Sequence, residues 1–65
     1  MEPDLLEQLE KEERAFAIKL NALFEIIHGP QWGFIDKVEQ DTMLEQHEAG
    51  TTYLDCLRER IELHS

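Results

Sequence analysis

Four side chains of this sequence carry the charge or the aromatic ring that nucleotide binding requires. Lys19 lies in the first half of the 65 residues, and Tyr53, Arg58 and Arg60 lie close together in the second half. Lysine and arginine bind phosphate oxygens, and bases stack on aromatic rings. If an interface between copies of the chain gathers these four residues, they form a pocket for a nucleotide second messenger.

Few residues could support metal binding or covalent catalysis. The histidines His28, His47 and His64 form no His-x-x-x-His pair, and Cys56, as the only cysteine, has no second thiolate beside it. A nucleophile pair of Cys56 with a histidine would also need an oxyanion hole and a cleft. We therefore expect no catalytic residue, no cofactor and no metal, and no enzyme activity. We expect Cys56 to be a small buried apolar residue, with a bridge between chains as the alternative.

The chain is strongly acidic, with a formal net charge of −9 from 15 acidic and 6 basic residues. The charge is spread evenly, which disfavours direct nucleic-acid binding, because that needs clustered lysine and arginine. Such a surface either keeps the protein soluble or docks a basic protein, including by imitation of DNA. The sequence has no membrane-spanning apolar run and no signal peptide, so we expect no membrane association and a cytoplasmic location.

The first half of the chain carries an apolar seam at alternating intervals of three and four residues. This spacing lines one side of a helix, which Pro3 can begin and the pair Gly29-Pro30 can end. We therefore predict a helix over residues 3–27, which Gly29 can close by taking the left-handed conformation. The seam consists of Leu6, Leu9, Glu13, Phe16, Leu20, Leu23 and Ile27.

A second helix is predicted from about residue 36 to residue 63. Asp36 with Glu39 and Asp41 with Glu45 both fit a capping box, which admits a break near residue 40. At Gly50 a kink is one interpretation, and a close approach of the first helix is the one we prefer. The apolar side comprises Met43, His47, Gly50, Leu54, Leu57 and Ile61, widened by Tyr53, Cys56 and Leu63.

Residues 28–35 form the connection. Its residues Trp32, Phe34 and Ile35 are too apolar for a loop that is simply exposed to solvent. We expect these side chains to fold back and cover the end of the hairpin. The alternative is an exposed aromatic tip that recognises a partner. The candidate partner-binding residues are Trp32, Phe34, Tyr53, Arg58 and Arg60.

The predicted fold is all-α, an antiparallel helical hairpin in one domain that assembles as a dimeric four-helix bundle. The dimer is expected because apolar residues outside the seam need cover; these surplus residues are Leu5, Ile18, Phe24 and Ile26. Glu13 interrupts the seam, and it either reaches solvent or pins the register by pairing with Arg58 or Arg60. The expected oligomer interface comprises Leu6, Leu9, Glu13, Phe16, Leu20, Leu23, Phe24, Ile27, Leu54, Leu57 and Ile61.

A helix–connection–helix motif covers most of the chain. It reads Phe16-x-x-Lys19-Leu20-x-x-Leu23-x-x-Ile26-Ile27, then a Gly-Pro connection with aromatic residues, then Gln46 and Tyr53-x-x-Cys56-Leu57-x-x-Arg60-Ile61. In this motif the chain resembles small helical-hairpin accessory proteins of tailed phages and prophages, a crAss-like-phage-related family of unknown function. The resemblance implies a phage accessory protein in the cytoplasm of a bacterial host, and it implies no mechanism.

Three functions are open at this point. The leading one is a non-enzymatic accessory module that self-associates and binds a host or phage protein, through acidic helix faces or the Trp32–Phe34 tip. The second is an oligomer that sequesters a nucleotide second messenger, which the overall acidity opposes. The third is an acidic DNA mimic, although basic residues such as Lys11 and Arg14 interrupt its carboxylates.

Overall fold

The computed structural model describes residues 3–65, which form two long helices joined by a short connection. Helix α1 spans Pro3–Ile27 and helix α2 spans Lys37–His64, with a 3₁₀ turn at Trp32–Phe34 between them. The two helices pack against each other, so the predicted all-α hairpin is confirmed. The described residues extend over 49 × 16 × 12 Å, the shape of a single layer of two helices. None of the described helices has the length and apolar character of a membrane span.

The core lies between the predicted apolar sides of the two helices. Leu9 of α1 is buried together with Leu54 and Leu57 of α2, and Phe16, Ala17, Leu20 and Ile61 pack against them. Every residue of the seam is at least half-buried. Full burial of one such side chain contributes about 1.5–3 kcal/mol, so three of them make a small core. A single hairpin therefore has a small buried core.

Gly50 is buried against α1. A Cβ atom at this position would lie 2.7 Å from Leu20 Cδ1 and 3.4 Å from Phe16 Cζ. Helix α2 continues through the next two residues, where the hydroxyls of Thr51 and Thr52 donate to carbonyls one turn earlier. The structure thus agrees with close approach, the interpretation that we preferred over a kink.

The end of α1 differs from the prediction. No glycine within residues 3–65 has a positive φ, so Gly29 does not take the left-handed conformation that was open to it. Instead, the Gly29 N–H donates to the Ile26 carbonyl at 3.2 Å, which tightens the last turn. Glycine is still required there, because a Cβ atom would lie 2.7 Å from the backbone oxygen of Glu25.

The start of α2 also differs, because the helix has no break near residue 40 and neither capping box forms. Asp36 occupies the N-cap position, but its side chain makes no capping hydrogen bond. Asp41 instead pairs with Lys37 at 2.8 Å along the helix surface. The side-chain amide of Gln40 donates to the Trp32 carbonyl oxygen at 2.7 Å. This bond ties the first turn of α2 to the 3₁₀ turn.

The apolar side of α2 is narrower than predicted. Tyr53, Cys56 and Leu63 are all exposed, so Cys56 is not the buried apolar residue that we expected. At about 100° of rotation per residue, these three positions lie about 100° or more around the helix from Leu54. The surplus residues of α1 are exposed as well, from 41% for Leu5 to 71% for Ile18.

Candidate functional site

The predicted nucleotide-binding residues divide between the two flanks of the hairpin. Arg58 follows Tyr53 by five residues, which turns it about 140° around α2. Arg60 follows Tyr53 by seven residues, which is about two full turns and returns it to the same flank. Lys19 of α1 shares a groove with Tyr53. The structure therefore brings Lys19, Tyr53 and Arg60 to one flank and places Arg58 on the other.

The first flank carries a groove of about 320 Å³, the Tyr53 groove, lined by Glu12, Ala15, Phe16, Lys19 and Tyr53. A smaller hollow of about 130 Å³ adjoins it and shares Phe16 and Lys19 with it. The rings of Phe16 and Tyr53 meet edge to face with their centroids 4.9 Å apart. Because one ring comes from each helix, packing of the hairpin itself builds this aromatic wall.

Charge on this flank is organised around the Tyr53 hydroxyl, which donates a hydrogen bond to the Glu12 carboxylate. That hydrogen bond, partial loss of hydration and the negative charge of Glu12 raise the pKa of Tyr53 above its ordinary value of 10.0, and the charge of Arg60 acts in the opposite direction. Among the ion pairs within residues 3–65, none involves Lys19 or Arg60.

The opposite flank carries a groove of about 300 Å³, the Arg58 groove, lined by Ala17, Leu20, Asn21, Phe24, His47, Leu54 and Arg58. Beside it, Arg58 Nε donates to Glu13 Oε2 at 2.9 Å. This is one of the pairings that we predicted for Glu13. The Glu13 side chain is only 21% exposed, so it remains at the seam beside Arg58 rather than reaching into bulk solvent.

An aromatic cluster lies at one end of the Arg58 groove. The centroid of the Phe24 ring is 4.2 Å from that of His28 and 5.8 Å from that of His47. The sequence assigned Phe24 to an oligomer interface and His47 to the apolar side of α2, and it missed Asn21 altogether. The i,i+4 spacing of Phe24 and His28 indicates that their rings lie on the same side of α1. The contact of His47 with Phe24 depends on how the two helices pair, which the spacing does not show.

The apolar residues of the connection divide between the two roles that we considered, a cover for the end of the hairpin and an exposed tip. Trp32 and Ile35 are half-buried, in line with a cover for the end of the hairpin. Phe34 is 86% exposed and stands out at the tip. Beside the connection lies a groove of about 370 Å³, lined by Ala22, Glu25, Ile26, Gly29, Pro30 and Gln31.

The residues expected at an oligomer interface are mostly engaged within the chain. Leu9, Leu54 and Leu57 are already buried by the hairpin, so they offer little surface to a second copy. Phe24, Ile18 and Ile26 keep substantial exposure. The exposed apolar surface of the hairpin therefore lies on the flanks and the outer side of α1 rather than at the seam.

Comparison with known proteins identifies one family. The family model described as Sequestin matches residues 3–63, which is nearly the whole chain. The chain therefore belongs to the Sequestin family. Neither the curated proteins nor the solved structures compared with this chain include a match.

Proposed function

We propose that this member of the Sequestin family is a non-enzymatic sequestering protein that holds a nucleotide second messenger in the Tyr53 groove. The family name denotes sequestration, which agrees with the second of the three functions considered from the sequence. The observation that carries the proposal is the groove that Lys19 shares with Phe16 and Tyr53. Arg60 lies on the same flank, where its charge acts on Tyr53. A sequestering protein lowers the free concentration of its ligand by binding alone.

The groove offers separate partners for the two halves of a nucleotide. The rings of Phe16 and Tyr53 offer an apolar wall for a base, and the Lys19 ammonium in the groove offers a partner for phosphate oxygens. Arg60, about two turns from Tyr53 along α2, adds positive charge on the same flank. Glu12 opposes phosphate, because the hydrogen bond from the Tyr53 hydroxyl orients its carboxylate and leaves the negative charge in place. Lys19 and Arg60 on this flank thus reduce the repulsion that Glu12 and the net charge of −9 exert on an anion.

The magnitudes indicate that one copy of the chain is not enough. Stacking of one base contributes about 1–3 kcal/mol, and two charge-assisted hydrogen bonds contribute about 1.5–3 kcal/mol each. Micromolar binding requires about 8 kcal/mol net, after costs of association that are themselves several kcal/mol. A one-sided groove falls short of this, so the proposal includes self-association that closes the groove with a second copy.

Exposed apolar residues support that self-association. Ile18 is 71% exposed and Ile26 is 44% exposed, and at helical spacing both lie on the outer side of α1 together with Ala15 and Ala22. Covering this side with a second hairpin gives the four-helix bundle expected from the sequence. A homodimer also compensates for the small core, as small domains generally require.

The experiment is calorimetric titration of the protein with a panel of cyclic nucleotides. We expect at least one of them to bind with a dissociation constant at or below the micromolar range. The double variant K19Q/R60Q should weaken that binding at least tenfold, because each charge-assisted bond is worth about one decade or more. The matched control is K37Q, which removes a lysine already paired with Asp41 and should leave the affinity unchanged.

Two further measurements separate sequestration from other activities. Ligand recovered after denaturing the complex should be chemically intact, whereas a hydrolysed product would contradict a sequestering role. Native mass spectrometry should show a dimer or a higher oligomer, and a strictly monomeric protein would remove the second half of the proposed site. Absence of heat with every nucleotide at millimolar concentration would end the proposal.

A second candidate is a protein-binding accessory module, and the exposed Phe34 favours it. An aromatic side chain that is 86% exposed, beside a groove of about 370 Å³ at the connection, has the character of an interface anchor. In this version a phage-encoded protein engages a host or phage protein in the bacterial cytoplasm. Affinity capture with wild type and F34S tests it, because a partner of the tip should be lost with the variant alone.

A further inference from the structure

We infer that the Arg58 groove is a second, separate binding site, which takes a planar heteroaromatic group that carries an anion. This inference goes beyond the proposed function, because that function uses the Tyr53 groove on the opposite flank. It rests on the chemistry of the groove lining alone. An experiment can therefore refute either proposed site and leave the other unaffected.

The groove combines an apolar floor with a few polar groups at its rim. Leu54, a core residue, and Leu20, which packs against the core, form the floor, and Asn21, His47 and Arg58 add hydrogen-bonding groups. Its volume is about 300 Å³, at the lower end of the range of small-molecule sites. None of the described residues that line it is acidic. Glu13 lies beside the groove as the partner of Arg58, and the lining itself is less acidic than the rest of a chain of net charge −9.

The aromatic cluster selects a flat ring. Phe24 is 45% exposed, and its centroid lies 5.8 Å from that of His47 across the two helices. A planar heterocycle can pack against these rings from the groove side, while the Asn21 amide offers both a donor and an acceptor to its edge. The Asn21 amide is committed only weakly, through a 3.4 Å bond to Glu25 in the same helix.

The cation at the other end of the groove is Arg58, whose guanidinium is hydrogen-bonded to Glu13. Arg58 uses Nε for the bond to Glu13, which leaves the terminal guanidinium nitrogens for a second acceptor. The Arg58 side chain is 56% exposed, so an incoming phosphate reaches it from solution. Glu13 positions the guanidinium but also competes with the ligand for it. Its removal should therefore strengthen anion binding rather than weaken it.

The test uses adenosine 5′-monophosphate as the probe, with adenosine and ribose 5-phosphate as its two halves. Binding is followed by NMR through the ring signals of Phe24 and His47 and the side-chain amide of Asn21. We expect the monophosphate to shift these signals and to bind at least tenfold more tightly than either half. A probe that shifts only signals from the Tyr53 groove would overturn the inference and leave the proposed function standing.

Variants then separate binding from mere structure. F24L and R58Q should each weaken probe binding about fivefold or more, whereas K19Q in the other groove should leave it unchanged. E13Q should tighten binding severalfold, although it removes an ion pair from the fold. Weaker binding by E13Q, or F24L and R58Q variants that are folded by circular dichroism and bind as wild type does, would refute the site.

Discussion

Substitution of Gly50 measures how closely the two helices approach each other. Replacement by alanine places a Cβ atom 2.7 Å from Leu20 Cδ1, so that methyl group must move by about 1 Å to reach an ordinary contact distance. Leu20 has room to do so, because it borders both the Arg58 groove and the hollow beside Lys19. Alanine also gains about 1 kcal/mol over glycine within a helix. We therefore expect G50A to be as stable as wild type or up to about 1 kcal/mol more stable.

Valine at the same position should have the opposite effect. Its two methyl groups extend toward Phe16, whose ring is 3.4 Å from the Cβ position and packs against Tyr53. Overpacking of this kind typically costs about 1–3 kcal/mol, which exceeds the few tenths of a kcal/mol that valine gains over glycine in helix propensity. The expected net loss for G50V is about 1–2 kcal/mol, or a decrease in melting temperature of about 4–16 °C.

The assay is urea and thermal unfolding followed by circular dichroism at one fixed protein concentration, because self-association makes stability depend on concentration. The matched control is A49V at the exposed neighbouring position, which reports the helix propensity of valine without the contact. A49V should lose about 0.5 kcal/mol. If G50V is as stable as wild type, the helices do not meet at Gly50 as described and the reasoning fails.

Three further predictions test the core, the ion pair and the phenol. Replacement of Leu57, which is 1% exposed, by alanine should lower the free energy of unfolding in urea by about 2–5 kcal/mol. The control L63A, at a 78% exposed position, should change it by less than about 0.5 kcal/mol. Equal losses would contradict the assignment of the core. A double-mutant cycle with E13Q and R58Q should give a coupling free energy of about 0.2–1 kcal/mol. This coupling should fall with added salt, because the Arg58 side chain is more than half exposed. A coupling of zero at low salt would contradict a role of Glu13 in fixing the register. Tyr53 is the only tyrosine, so ultraviolet titration reads its pKa directly; we expect a value above 10.0 that falls in E12Q, and an unchanged value in E12Q would show that the Glu12 hydrogen bond is not its cause. Since the folded-state pKa is raised, the stability from this bond is complete below pH 10 and is lost as the pH rises through the raised pKa.

The regular parts of the fold could be predicted because they depend on local spacing. The seam of α1, its end before Gly29-Pro30 and the hairpin all follow from residues three or four apart and from a proline that cannot continue a helix. The ends of α2 were less predictable. Asp36 and Asp41 both fit a capping box. That pattern does not predict that Asp41 pairs with Lys37 or that the Gln40 side chain bonds to the 3₁₀ turn.

The candidate sites were predictable only in part. The residue types for nucleotide binding were visible, but a list of Lys19, Tyr53, Arg58 and Arg60 does not show that the fold separates Arg58 from the rest. The Arg58 groove needed His47 of α2 to meet Phe24 of α1. That contact depends on which turn of one helix lies opposite which turn of the other.

The sequence by itself determined that this chain forms two helices, that their apolar sides face each other, and that the chain is small and acidic. These properties come from local periodicity and from composition, which a single chain carries before it folds. Only the tertiary structure decided which side chains share a groove. Antiparallel packing fixed the register at which Glu12 meets Tyr53 and Glu13 meets Arg58, because neighbouring residues on a helix point to different flanks.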